Sequence, residues 1–295
     1  MKTTIFTGSG VAIVTPMNPD GSVNYDSFAR LIDFQLENQT DAIIACGTTG
    51  ESATLSHEEH VQVIRFVAER VAGRVPVIAG TGSNDTAYSL ELSQEAKNVG
   101  ADALLLLTPY YNKTSQAGLI SHFTYVADRV DLPVMLYNVP SRTAIEINPA
   151  TYLELSKHPR IVAIKEAGGK FSAIAQTMHL CGDTLDLYSG NDDQIVPLMS
   201  LGAKGVVSVL ANVMPAVTHQ ICAEYLAGNV RESLALQLRY LPLANALFCD
   251  VSPMPVKDAL NQMGFGVGSC RLPLVSLSQT NSSLLRAEMK NAGLI

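Results

Sequence analysis

Short apolar segments alternate with amphipathic helical stretches eight times over residues 1–228, and no other feature of the chain limits its fold as severely. The apolar segments are GVAIVTP (10–16), AIIACG (42–47), VPVIAGTG (75–82), ALLLLTP (103–109), LPVMLYNVP (132–140), IVAIKEA (161–167), TLDLYSG (184–190) and GVVSVL (205–210). Most are rich in Val, Ile and Leu, as parallel strands covered by helices must be. Between them, helical patterns cover about 25–37, 57–72, 85–98, 117–129, 149–157, 171–181, 193–201 and 215–227. In the first, Phe28, Leu31, Ile32 and Leu36 share one stripe. At the start of the second, Ser56 and Glu59 have the spacing of a capping box.

Alternating strands and helices give a parallel sheet, and eight such units close into a (β/α)8 barrel. A doubly wound open sheet is the rival. No strand leads into a GxGxxG turn, and the GTG at 80–82 lacks the third glycine, so the barrel is expected. Beyond residue 228 the strand pattern stops. Helical periodicity at about 230–248, 255–263 and 281–291, with turns at SPMPVK (252–257) and RLPL (271–274), predicts a helical appendage. The expected division is a barrel over 1–228 and a C-terminal helical region over 229–295.

Composition narrows the function. A net charge of −7 with no polybasic run argues against a general nucleic-acid or anionic-membrane binder. Charged residues make up 16% of the chain and hydrophobic residues 47%, against a usual charged share of ~25%. Such a chain is expected to bury surface twice, in its core and against copies of itself. No apolar run reaches the ~18 residues of a membrane span. The amino terminus has one basic residue and a short apolar run ending at Pro16, which does not read as a signal peptide. Five cysteines, at 46, 181, 222, 249 and 270, form no CxxC pair and are odd in number. A reducing, cytoplasmic setting fits them. Cys46 is a possible nucleophile, with a small buried hydrophobe as the competing account.

The sixth apolar segment carries a lysine, Lys165, near its carboxyl end, where α/β barrels place their chemistry. If it points inward, desolvation lowers its pKa, and a neutral amine can attack a carbonyl to form a Schiff base. The competing account is a lysine that snorkels to water or pairs with Glu166. In a barrel the other strand ends share that face. Strand two ends in GTTGE, where glycines flank Thr48 and Thr49; such a loop can present N–H groups and hydroxyls to a carboxylate. Strand five ends in YNVPSRT. Tyr137 could relay a proton across the mouth, and Arg142 in the following loop could clamp a second carboxylate. An ordinary glycine turn, a satisfied buried tyrosine and a solvated arginine are the alternatives, one by one. Strand seven ends in SGNDD; the acids could suggest a divalent cation, but a helix N-cap is the simpler account. His57 and His60 share a helix face, but no third ligand has sensible spacing, and HEEH is not HExxH. No metal or cofactor is expected.

GTTGES, PYYNKT, YNVPSRT, IKEA, SGNDD and PVK, in this order, resemble the 4-hydroxy-tetrahydrodipicolinate synthase (dihydrodipicolinate synthase) family of pyruvate-lysine aldolases, from about Thr7 to the last residue. The resemblance implies a (β/α)8 barrel, usually a homotetramer, that condenses pyruvate with aspartate 4-semialdehyde. It implies that Lys165 forms the pyruvate imine. Tyr137, Thr48 and Tyr111 would relay protons, Tyr111 reaching in from a neighbouring subunit. Thr49 would seat the pyruvate carboxylate, Arg142 the semialdehyde carboxylate, and Gly190 and Val207 would line the pocket. The family's lysine-inhibition pocket matches Ser52, Ala53, His57, His60, Asn84 and Tyr110. Tyr88 stands where lysine-sensitive members carry glutamate, so weak feedback by lysine is expected. N-acetylneuraminate lyases and keto-deoxy-sugar aldolases share the lysine and tyrosine; Arg142 suits a small carboxylated aldehyde better than a polyol. A non-catalytic barrel is the remaining alternative.

Overall fold

A computed structural model describes residues 2–295. Eight parallel strands close into a barrel in sequence order: β1 (Gly8–Ala12), β2 (Ala42–Ala45), β3 (Val77–Gly80), β4 (Ala103–Leu107), β5 (Val134–Asn138), β6 (Ile161–Glu166), β7 (Asp186–Ser189) and β8 (Gly205–Ser208). Outside them lie α1 (Tyr25–Glu37), α2 (His57–Val71), α3 (Thr86–Asn98), α4 (Gln116–Arg129), α5 (Pro140–Thr143), α6 (Pro149–Leu155), α7 (Phe171–Cys181), α8 (Ile195–Met199) and α9 (Pro215–Leu226). Three more helices follow: α10 (Val230–Ala246), α11 (Met254–Gln262) and α12 (Gln279–Asn291). The expected (β/α)8 architecture is the observed one.

The apolar runs overstate the strands at their carboxyl ends because burial outlasts the ladder. Ile13 and Val14 have left β1 yet are buried under the loops, and the Val14 N–H donates to Asn212 Oδ1 at 3.1 Å. YNVPSRT is not wholly a loop. Pro140, whose fixed φ suits a first helical position, opens the single turn α5, with Arg142 near its end. The capping box forms as expected: Ser56 Oγ accepts from Glu59 N at 3.2 Å, and Ser56 N donates to Glu59 Oε2 at 2.9 Å.

Alternation along each strand sorts the core into two layers. Val11, Ile43, Leu104, Leu106, Leu136 and Leu187 face the helices. Ala12, Ile44, Ile78, Leu105, Met135, Tyr188 and Val207 fill the lumen. Phe6 closes the amino-terminal end, its ring stacked on Tyr188 at 4.4 Å between centroids, and the Tyr188 hydroxyl donates to the Phe6 carbonyl. One end of the lumen is therefore plugged, and only the carboxyl-terminal mouth can admit a ligand.

Candidate active site

One departure from regular pairing decides where Lys165 points. Between β5 and β6 the register jumps from Val134–Ile161 to Met135–Ala163, so Val162 has no partner. Val162 and Ala163 both join the lumen layer, whereas Ile161 and Ile164 join the outer one. Strict alternation from Ile161 would send Lys165 outward; the one-residue bulge resets the phase and turns it in. Bulges beside active sites re-aim side chains in this way. Lys165 then pairs in register with Tyr137, and its Nζ lies 4.2 Å from the centre of the Tyr137 ring.

Lys165 is 6% exposed. Burial lowers its pKa to about 7, with Arg142 adding to the fall and Asp192 opposing it. Near neutral pH a large share of this amine is unprotonated and nucleophilic. Burial also pushes Tyr137 up to about 12, against the effects of the Arg142 charge and the Thr48 hydroxyl. Tyr137 therefore holds its proton until a base or a developing anion takes it, as suits a relay member.

Glu166 does not neutralise Lys165. One residue further on, it faces away from the lumen, where Asn138 Nδ2 donates to its two oxygens at 3.1 and 3.0 Å and Gly168 N donates at 2.6 Å. Asn138 follows Tyr137 as Glu166 follows Lys165, so the outward pair ties together the two strand ends that carry the inward pair. The acids of SGNDD are not simple caps either. Asp192 is buried, with Oδ1 accepting from Ser208 Oγ at 2.5 Å and Oδ2 from Val209 N and Leu210 N at 3.1 and 2.8 Å. It binds the loop after β7 to the end of β8. Sequence reasoning missed Asn138, Glu166 and Asp192 in these roles. The available signal was a polar residue directly after, or just beyond, an inward-facing one at a strand end.

A cavity of about 360 Å³ opens at the mouth, lined among others by Thr48, Tyr137 and Arg142. Thr49 is 5% exposed and Val207 is fully buried in the lumen layer. Gly190 leaves room for the amine: a Cβ there would lie 3.2 Å from Lys165 Cε and 2.9 Å from Ala167 Cβ. Arg142 Nη2 donates to the Ser252 carbonyl at 3.2 Å. Tyr111 is not brought to this cluster. It is 91% exposed, with φ of +67°, and projects from the loop after β4.

The same cavity extends past Ser52, Ala53, His60, Tyr88 and Tyr110. His57 and His60, expected on one face, diverge in their contacts. His60 is buried with Nε2 2.8 Å from the Gly80 carbonyl, and burial lowers its pKa to about 4. His57 lies 3.0 Å from Glu95 on the neighbouring helix. His57, Glu91 and Glu95 bring three donor atoms within 4.8 Å of one another. The histidine–glutamate pair accounts for this surface group without an ion. Cys46 is buried, and burial pushes its thiol far above the usual range, so it packs as a small hydrophobe.

The lowered pKa of Lys165 is also a stability statement. Its folded value of about 7 lies below the ordinary 10.5, so the unfolded chain binds more protons between these values. The penalty is fully present below about pH 7 and fades as pH rises to 10.5. Lys165→Met is therefore expected to abolish activity and stabilise the fold at pH 7 by on the order of 1–4 kcal/mol, with a smaller gain at pH 10. Denaturant titrations at both pH values check this; no gain at pH 7 contradicts it.

Comparison with known proteins agrees with this fold. The sequence profile of the dihydrodipicolinate synthetase family matches residues 5–292. A 4-hydroxy-tetrahydrodipicolinate synthase of Lachnoclostridium phytofermentans is 57% identical over 292 residues, covering 99% of both chains. The namesake from Caldicellulosiruptor saccharolyticus is 53% identical over 290 residues, covering 98% of both. A crystal structure of the chloride-inhibited dihydrodipicolinate synthase from Acinetobacter baumannii, complexed with pyruvate, superimposes with a TM-score of 0.97 at 43% identity. That match covers 99% of this chain and 100% of the other. The chain belongs to the dihydrodipicolinate synthetase family.

Proposed function

We infer that this chain is a 4-hydroxy-tetrahydrodipicolinate synthase, a lyase that condenses pyruvate with L-aspartate 4-semialdehyde in the first committed step of diaminopimelate and lysine synthesis. The observation that carries this reading is an amine at β6 with a pKa near 7, in register with a tyrosine at β5. Relatives bearing this name at 51–57% identity over almost the whole chain favour it over a sugar-acid aldolase.

In the proposed mechanism the neutral Lys165 Nζ attacks the pyruvate ketone, and loss of water leaves an imine. The imine, once protonated on nitrogen, draws electrons better than the ketone, so a methyl proton is lost and a neutral enamine forms. The enamine carbon then attacks the semialdehyde carbonyl. The semialdehyde's own amine displaces Lys165 as the ring closes, returning the free enzyme. Thr49 and the N–H groups around it would seat the pyruvate carboxylate, and Arg142 the semialdehyde carboxylate. Gly190 and Val207 would shape the floor of the pocket.

Tyr137 is a poor base alone and needs hydroxyl partners to pass protons; Thr48 and Tyr111 would supply them. An exposed tyrosine in the left-handed backbone region suits a side chain offered to a neighbouring subunit, and a homotetramer is the proposed assembly. Five free cysteines suit a cytoplasmic setting. Among the described residues no helix is long and apolar enough to cross a membrane. With Tyr88 where a carboxylate would hold a lysine ammonium, feedback by lysine is proposed to be weak.

Borohydride reduction in the presence of pyruvate, followed by peptide mass spectrometry, tests the mechanism. One adduct on Lys165, absent in Lys165→Ala, is expected; an intact chain with no adduct overturns the reading. A steady-state assay with both substrates completes the test. It is expected to proceed with little change when millimolar lysine is added.

A further inference from the structure

The C-terminal helices do more than cover the barrel. Lys257, on α11, is 2% exposed. Its ammonium meets three acceptors: Glu51 Oε1 at 2.7 Å, the Ser269 carbonyl at 2.8 Å and the Thr15 carbonyl at 3.1 Å. An ammonium has three N–H donors, so this one is fully used. Glu51 is the acidic residue of GTTGES. Its second oxygen accepts from Arg271 N at 2.8 Å, so both contacts to its carboxylate come from beyond residue 250.

The backbone at Glu51 points the same way. Its φ of +57° and ψ of +35° lie in the left-handed region, which glycine adopts freely and glutamate only under constraint. A side chain is held there at a conformational cost, and what it does is reach Lys257. Such a buried pair often adds little net stability over an apolar pair of similar volume; fixing one geometry is its better-attested use.

The geometry fixed is that of the loop facing the substrate. Glu51 N donates to the Thr48 carbonyl at 3.1 Å, and Gly50 N to Gly47 at 3.0 Å. Thr15 Oγ1 holds the Gly50 carbonyl at 2.7 Å, while Lys257 holds the Thr15 carbonyl. Lys257 thus grips the loop by two routes. Arg271 secures its far end, donating to the Thr54 carbonyl at 2.6 Å and pairing with Glu59.

We propose that Lys257 is a positioning residue for pyruvate, holding Glu51 so that Thr48 and Thr49 present their hydroxyls and N–H groups to the substrate carboxylate. The proposal rests on pyruvate being the imine-forming substrate. Lys257 does not itself line the cavity; it reaches it through Glu51, which does, so its loss weakens capture of the keto acid without removing the chemistry.

Lys257→Met alone leaves the Glu51 charge buried and unpaired, so the informative variant is Glu51→Gln/Lys257→Met, which removes both charges. Circular dichroism and thermal melting establish its fold. Borohydride trapping over a pyruvate series then gives the concentration for half-maximal labelling of Lys165. That concentration is expected to rise about fivefold or more, while labelling at saturating pyruvate stays complete and the KM for the semialdehyde changes less than about twofold. A folded double variant whose half-labelling concentration matches the parent's overturns the proposal. If the double variant does not fold, Glu51→Gln carries the same comparison: a rise of about threefold or more supports the proposal, and no rise overturns it. Failure of the unmodified protein to label at all would instead refute pyruvate as substrate.

Discussion

Desolvation of one amine is the constraint on which the rest of the structure depends. A lysine in water is protonated at neutral pH and cannot attack a ketone. At β6 the lumen excludes water, and the plug of Phe6 on Tyr188 closes the other end. The cost of holding an amine there is borne by a large core elsewhere, in the packed layer between strands and helices. Asp192 limits the fall in pKa, while Arg142 deepens it. The resulting value near 7 leaves a mixture of both forms, so the group can serve as nucleophile and pass through a charged imine within one cycle.

The site is then organised by parity. At β5 and β6 the candidate residue points in and its successor points out. Tyr137 and Lys165 share the lumen; Asn138 and Glu166 bond to each other behind the sheet. The loops after β2 and β7 are tied in a similar way from outside the lumen. Asp192 joins the ends of β7 and β8, and Glu51 joins the loop after β2 to the C-terminal helices. Each tie is a buried charged group with most of its hydrogen-bonding capacity filled, which is how a short loop keeps one geometry.

Much of this was legible in the sequence because periodicity reports burial directly. The eight apolar runs located the strands, and Ser56 and Glu59 located the start of α2. Of the candidate residues, Lys165 and Tyr137 fell at strand ends and Thr48 and Arg142 just beyond them; Thr48, Tyr137 and Arg142 line one cavity, with Lys165 beside the Tyr137 ring. What was not legible depends on long-range contact. The Val162 bulge leaves no mark in an apolar run, yet it decides the direction of Lys165. Glu51 and Lys257 are 206 residues apart, and neither spacing nor composition links them. Asp192 looked like a cap because the local pattern of an acid before a helix is the same whether its partners lie in the next turn or on another strand. Tyr111 is exposed in the single chain and lies apart from the cluster; the role proposed for it needs a second chain, which no spacing reports.

The most direct test of the account is the titration of Lys165 itself. Competitive labelling of amines with a small acylating reagent, followed across pH and read on the peptide that carries residue 165, reports the fraction of neutral amine in the native protein. The account predicts a midpoint near 7 for Lys165, with surface lysines titrating near ~10.4. A midpoint for Lys165 that coincides with the surface lysines would contradict it, because the lumen would then not be keeping water from the amine.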